Sequence, residues 1–383
     1  MDFAATHSRS DGDDAAPRAG KIPTINIRAA LPEAAPTIGG LMRLALATYR
    51  LSRGPGRLMP AEFFQHRLWD RGLMPGDQTR FVGLAAQAQF HGVACDYGWR
   101  AVADDKLIAQ ATLSTAGMTA LPDIIGVVHP TRRLTRAAAL RSVDDVVGFL
   151  RDPSQYPLVA KPIDGVFSVG VIHAVSLDPA SDMLNTVTGA TLPIPAIAAR
   201  ILAYRDGYLI QRALLPPADL AGMSGGRLCT VRVLVFLTDT GPLIHRAALK
   251  IPIQGNAADN YWREGNRLGA IDLATGEVTR VMTGKATSLR RDPIHPDTGY
   301  AIERVVIPDW NDLRSLVIRA SPLFPGIRTQ SWDVAVSDHG PVLLELNWGG
   351  DLYLHQIAHG TGVLDDAYCA HLRAYGFRGP LPG

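Results

Sequence analysis

The stretch WDVAVSDHGPVLLELNWGGD, Trp332 to Asp351, reads as two strands and the turn between them. Trp332 to Val336 and Val342 to Asn347 are rich in Val and Leu, and Ser-Asp-His-Gly-Pro between them suits a hairpin loop. A register that pairs Val336 with Val342 puts Asp333 directly opposite Glu345. Asn347 lies two residues beyond Glu345, so it shares that face. Two carboxylates placed opposite each other on a sheet repel. A divalent cation relieves the conflict. Oxygen donors from Asp, Glu and Asn, with no His or Cys beside them, suit a hard ion, Mg²⁺ or Mn²⁺, held at Asp333, Glu345 and Asn347.

Upstream of the hairpin the texture is mixed. Helical patterning covers 38–52, 60–72, 78–92 and 104–116. In the last of these Asp104-Asp105 supplies a cap, Gly117 the stop, and Pro122 follows. Ser142 to Leu150 reads as another capped helix, and Leu158-Val-Ala-Lys161 as a short strand. Val169 to Val175, Tyr208 to Gln211, Cys229 to Leu237 and Leu243 to Ile251 are Val-, Ile- and Leu-rich runs bounded by turn residues, so they read as strands. A helix is expected over Pro308 to Phe324 and further helix over Asp351 to Tyr375. Helices mixed with mainly antiparallel strands predict an α+β fold.

Bulk properties bound the function. The chain has 383 residues with a net charge of +2 and no long run of one sign, which argues against a nucleic-acid partner. Its three cysteines show no metal-binding or disulfide spacing. Residues 1–22, polar and without an apolar core, read as a disordered tail and not as a secretion signal. No apolar run approaches the roughly 20 residues that cross a bilayer. The expectation is a cytoplasmic protein. Ile38 to Leu51 is an amphipathic helix expected to pack on its own domain, with peripheral membrane contact as the second reading. His355 and His359 share a helix face, but Gln356 stands where a zinc protease motif needs Glu, so no zinc site is assigned.

The hairpin and its upstream motifs together resemble the ATP-grasp superfamily, and within it the sugar-transfer-associated branch, with glutamate-ligase-like relatives. The resemblance runs over roughly residues 60 to 375 as an ordered series of short motifs. It implies two α+β lobes gripping ATP, at 104–212 and 213–383, behind a mostly helical N-terminal region at 23–103. Asp333, Glu345 and Asn347 then match the residues that hold Mg²⁺ on the ATP phosphates. Lys106, in Asp105-Lys106-Leu107, matches a phosphate-contacting lysine. Lys161 in VAKP matches the lysine on the α/β-phosphates, and the loop after it, carrying Gly165, Ser168 and Gly170, matches the cover over them. Gln211, Arg212 and Ala213 match the adenine-reading hinge, although the family pattern carries Glu where Arg212 stands. Asp219 matches an acidic ribose ligand. Arg232 in TVRVLV and Lys250 in AALK match basic residues facing the transferred phosphate.

The resemblance implies a carboxylate–amine ligase working through an acyl phosphate and releasing ADP and phosphate. Its substrates would be a small-molecule carboxylate and an amine, with ATP and Mg²⁺ (or Mn²⁺) as cofactors. The alternatives are a phosphotransferase acting on a hydroxyl, and a non-catalytic binding module of a polysaccharide or envelope pathway. Oligomeric state is left open.

Overall fold

The computed structural model describes residues 27–70, 75–165 and 168–382. The expected tail at 1–22 lies outside the described residues, as do Val166 and Phe167 of the loop expected to cover phosphates. Among the described residues the strands form two seven-stranded sheets, surrounded by helices, in an α+β arrangement.

The first sheet contains β1 (Ile124–Val128), β2 (Ala138–Leu140), β3 (Leu158–Pro162), β4 (Ile172–Asp178), β5 (Met183–Thr186), β6 (Thr191–Pro193) and β7 (Tyr208–Arg212). Their spatial order is β2-β1-β7-β3-β4-β5-β6. Alternation along β3 sets its two faces. Leu158 and Ala160 join Ile172, Ala174, Tyr208 and Ile210 beneath the helices Val143–Leu150 and Ile194–Leu202. Val159 and Lys161 point the other way. Ser142 caps the first of these helices as expected: its hydroxyl accepts from the Asp145 amide at 3.1 Å, and the Asp145 carboxylate accepts from the Ser142 amide at 3.0 Å.

The second sheet contains β8 (Thr230–Thr238), β9 (Gly241–Ile251), β10 (Arg267–Ile271), β11 (Val278–Thr283), β12 (Arg290–Arg291), β13 (Thr329–Ser337) and β14 (Gly340–Trp348). Their order is β12-β11-β10-β9-β8-β13-β14, and every neighbouring pair is antiparallel. Val231, Val233, Val235, Trp332 and Val334 face the helix Trp310–Ala320 and form the largest core of the chain with Leu313, Leu316 and Val317. On the opposite face Leu234 and Phe236 pack against the helix Asp366–Ala374, whereas Thr230, Arg232, Lys250 and Asp333 turn to a cleft.

The β13–β14 hairpin corrects the expected register in one respect. Val336 pairs with Pro341, and Ala335 with Val342. Asp333 nevertheless lies opposite Glu345, because a β-bulge between Asp333 and Val334 inserts Leu344 as an extra residue. The bulge lets Leu343 and Leu346, three apart, share the core face while Glu345 and Asn347 turn away from it.

Several helices are shorter than their sequence pattern. Pro60–Gln65 stops where Arg67 turns left-handed (φ 51°). The pattern at 78–92 resolves into Pro75–Gln78 and Leu84–Ala94. The C-terminal segment is two helices, Leu352–His359 and Asp366–Ala374, broken at Gly360 (φ 69°). The N-terminal helices do not stand apart. Val82, Ala86 and Phe90 are buried against Leu352, Tyr368 and Leu372. No described helix is long and apolar enough to cross a membrane.

Candidate active site

A cleft of about 600 Å³ opens between the two sheets. Its floor is a buried network of charge on the second sheet. Register puts Arg232 of β8 directly beside Asp333 of β13, and Lys250 of β9 beside Thr230. Arg232 grips Asp333 in bidentate fashion, with Nε and Nη2 each 2.6 Å from a carboxylate oxygen, and Lys250 Nζ donates to the same carboxylate at 3.1 Å. Lys250 also reaches Asp259 at 3.5 Å, and the Thr230 hydroxyl donates to Asp259. Burial alone raises a carboxyl pKa. Here Arg232 and Lys250 outweigh it and hold Asp333 well below the usual carboxylate range.

The first sheet and its flanking helix supply a second set of cations. Asp105 caps the helix Lys106–Thr115 by accepting from the amides of Leu107 and Ile108, both at 3.0 Å, and it is clamped by Arg132. That fixes Lys106, whose Nζ donates to the Gly165 carbonyl at 2.7 Å and lies 3.9 Å from Glu345. Lys161 points into the cleft from β3 and forms no ion pair among the described residues. Burial, reinforced by the like charge of Lys106, lowers its pKa to about 8. Arg263 Nη2 donates to the Ser168 carbonyl at 3.1 Å, so the loop after β3 touches a loop of the second sheet across the cleft.

The turn after β14 closes the far end. Gly349 and Gly350 both adopt left-handed backbone (φ 70° and 75°), and a Cβ on Gly350 would lie 2.4 Å from Cβ of Ser331. The turn delivers Asp351, which accepts from the Tyr353 amide at the start of its helix and faces Trp262 Nε1 at 3.4 Å. Burial raises its carboxyl pKa although Arg232 pulls the other way. Gly350→Ala is expected to cost about 1–3 kcal/mol through strain and overlap, measured as a lower midpoint in denaturant.

The family model for sugar-transfer associated ATP-grasp proteins matches residues 87–369. The chain belongs to that family. A search of curated proteins found no match. Solved structures with a likeness to it include an L-amino acid ligase from Bacillus licheniformis (12% identity, 68% of this chain and 43% of that one, TM-score 0.35). A D-alanine–D-alanine ligase from Bacillus anthracis complexed with ATP gives 15% identity, 77% and 76% coverage, and TM-score 0.38. A biotin carboxylase from Campylobacter jejuni gives 11% identity, 75% and 49% coverage, and TM-score 0.42. The chain spans about half the length of the first and third of these.

In this ATP-grasp chain the cleft brings together Lys106, Lys161, Gly165, Ser168, Gln211, Arg212, Arg232, Lys250, Asp333, Glu345 and Asn347. Three other expected positions lie outside its lining. Gly170 is turned away, its carbonyl accepting from the Tyr208 hydroxyl at 3.2 Å. At the hinge, the amides of Arg212 and Ala213 donate to the carbonyls of Asp123 and Pro157, both at 3.0 Å. Ala213 lies outside the cleft lining, and Leu214 faces the cleft instead. Asp219 sits in the first turn of the helix Ala218–Ser224 and borders a separate depression beside Trp310, because Pro217 starts a new helix there. His355 lies outside the cleft lining, and His359 Nε2 is 3.0 Å from the Ala247 carbonyl.

Among the residues at the cleft without a role assigned from sequence are Asp351 and Arg227. The one signal for Asp351 is the double glycine before it, which only a tight turn requires. Arg227 has no local signal, since its partners, the carbonyls of Ile253 and Gln254, come from a distant loop.

Proposed function

We propose that this ATP-grasp chain is an Mg-ATP-dependent carboxylate–amine ligase that activates its carboxylate as an acyl phosphate. The observation that carries the reading is the convergence of Lys106, Lys161, Arg232 and Lys250 on one cleft that also holds Glu345 and Asn347. Residues 104–212 and 213–383 are the two lobes of this reading. ATP would lie between them, with adenine toward Gln211 and Leu214 and phosphates toward the lysines.

The donor set fits Mg²⁺. A carboxylate offers about four lone-pair directions. Arg232 and Lys250 occupy three of those on Asp333. Glu345 and Asn347 face the cleft and would offer further oxygen donors. Among the described residues no three His, Cys, Asp or Glu side chains form a metal cage. That suits an ion that takes one or two carboxylates and completes its shell with phosphate and water. Glu345 and Asn347 would hold the ion, with Asp333 contributing its remaining direction. When bound, Mg²⁺ supplies positive charge to the phosphate oxygens of ATP.

The protein side of the chemistry is positioning and charge. Lys106 and Lys161 hold non-bridging phosphate oxygens. Asp333 keeps the Arg232 fork and the Lys250 ammonium fixed, so both act on the transferring phosphoryl group without reorganising. A substrate carboxylate attacks the γ-phosphorus as the bond to ADP breaks. An amine then attacks the acyl carbon, phosphate leaves, and the amine gives up a proton. The link from Arg263 to Ser168 keeps the cover of the phosphates closed and excludes water from the acyl phosphate.

A substrate panel monitored for ADP tests this reading. ADP release that requires both a carboxylate and an amine is expected, with the amide in the product. ADP release with a phosphorylated hydroxyl in the product identifies a phosphotransferase instead. Absence of ATP binding in the presence of Mg²⁺ overturns the reading. Glu345→Gln is expected to lower ATP turnover about 100-fold with little change in melting temperature, because Glu345 is partly exposed and only loosely paired.

A further inference from the structure

We propose that the N-terminal helix Ile38–Arg53 is a docking face for an anionic lipid surface. The helix is 16 residues long, capped by Thr37, and buries only Leu44 and Leu51 fully. Gly40, Ala47 and Thr48 lie on that same inward side and are half-buried. The outward side should then be polar. It is not. Ile38 is 80% exposed, Met42 71%, Leu46 60%, Tyr49 58% and Leu41 42%. At 100° per residue Ile38, Leu41, Met42, Ala45, Leu46 and Tyr49 form one continuous arc opposite Leu44 and Leu51. Single exposed apolar side chains are ordinary, but a contiguous stripe of five large ones marks a surface that is meant to be covered.

The charges select the occupant. From Ile38 to Arg57 every charged residue is an arginine: Arg43, Arg50, Arg53 and Arg57. Arg43 and Arg50 flank the apolar arc on one side. Arg53 stands over the Tyr49 ring, its guanidinium carbon 5.2 Å from the ring centroid. The nearest acid of the preceding helix, Glu33, is engaged by Arg67. A basic flank beside an apolar arc complements a bilayer with anionic headgroups: the apolar side chains enter the acyl boundary while guanidinium groups and the tyrosine hydroxyl stay among the headgroups. A second copy of the chain is a poorer match. An isologous contact would bring a second set of the same arginines and no carboxylate to neutralise them.

The test uses the full chain and vesicle co-sedimentation. Wild type is expected to sediment with vesicles of phosphatidylcholine and phosphatidylglycerol, to leave pure phosphatidylcholine vesicles largely unbound, and to dissociate as salt rises. Met42→Glu/Leu46→Glu puts two charges on the exposed arc without touching the buried face, and should lower the bound fraction at least about tenfold. Circular dichroism and melting should match wild type, which separates lost docking from lost folding. Arg43→Gln/Arg50→Gln should retain folding and lose the preference for anionic vesicles. Failure of wild type to bind anionic vesicles overturns the proposal, as does unchanged binding by the glutamate variant. A dimer in size exclusion that the glutamate variant abolishes, with no vesicle binding, assigns the face to a second copy and also overturns it. Binding that appears only when residues 2–26 are removed would assign the face to that segment, with the same consequence.

Discussion

A Lys161→Met variant is expected to lose ATP turnover by about 100-fold or more and yet to melt at a higher temperature than the parent chain. Both effects follow from one placement. The ammonium is carried inward on β3 beside Lys106, without an ion-pair partner among the described residues, and its pKa is lowered to about 8 from 10.5. A depressed lysine means that the unfolded chain binds more protons than the folded one between those two values. Stability therefore rises with pH across that window. The cost of the partly buried charge is fully present below about pH 8 and fades toward 10.5. The melting gap between variant and parent should accordingly be widest near neutrality and close as the pH climbs through that range. Arrival of the triphosphate reverses the sign locally, because the anion favours the charged lysine. Apparent affinity for ATP in the parent should thus weaken as pH rises above about 8, and this dependence should be absent from the variant. Paired melts and ATP titrations at two pH values measure both. A variant that binds ATP like the parent would remove Lys161 from the phosphate site.

Asp333→Asn should do the opposite to stability. It leaves Arg232 and Lys250 buried with a neutral amide between them. Removing one partner of a buried pair costs about 3–5 kcal/mol, and for a chain of this size that corresponds to a fall of about 4–6 °C in melting temperature. Because the folded pKa of Asp333 is depressed, its stabilising contribution is present above the ordinary carboxylate value of 3.8 and is lost only as the pH falls below it. The penalty of the asparagine should hold from pH 5 to 8. Activity should disappear as well, which alone would not distinguish a folding defect from a catalytic one. The double change Arg232→Met/Asp333→Leu makes that distinction. Replacing the pair with apolar side chains should recover part of the melting temperature, because Lys250 keeps only its longer link to Asp259, while turnover stays absent. Recovery of turnover together with stability would mean that the pair is scaffolding only.

The hairpin is legible from its own residues. Alternation in WDVAV and the oxygen-bearing side chains in LELN are enough to set Asp333 opposite Glu345. The reason for the pairing is not legible. Leu343, Leu344 and Leu346 are all apolar, so the pattern carries no mark of which leucine is the extra one. The electrostatics also differ from expectation. Asp333 and Glu345 are adjacent, but the counter-charge for Asp333 is a guanidinium and an ammonium supplied by β8 and β9. Arg232 and Lys250 stand out as unusual charges in apolar strands; that they share one carboxylate depends on strand order, which no single segment encodes. The short strands β1, β2, β5 and β6 escape sequence patterning because three to five residues carry too little periodicity. Gly170, Ala213 and Asp219 are expected from motif order, which preserves sequence position but not the way the local backbone turns each residue.

The Val82 amide donates to the Gln356 side-chain oxygen at 2.7 Å, and the Gln356 amide returns a bond to the Val82 carbonyl at 3.0 Å, across 274 positions of chain. Tyr353 likewise reaches back to Glu62. During synthesis the segment around Val82 therefore emerges long before its partners exist. Val82, Ala86 and Phe90 gain their contacts with Leu352, Tyr368 and Leu372 only after the helices carrying those residues are made, so an early part of the chain is completed late. A premature stop anywhere before about residue 370 would release a chain with this apolar face uncovered, a ready target for chaperones and proteases.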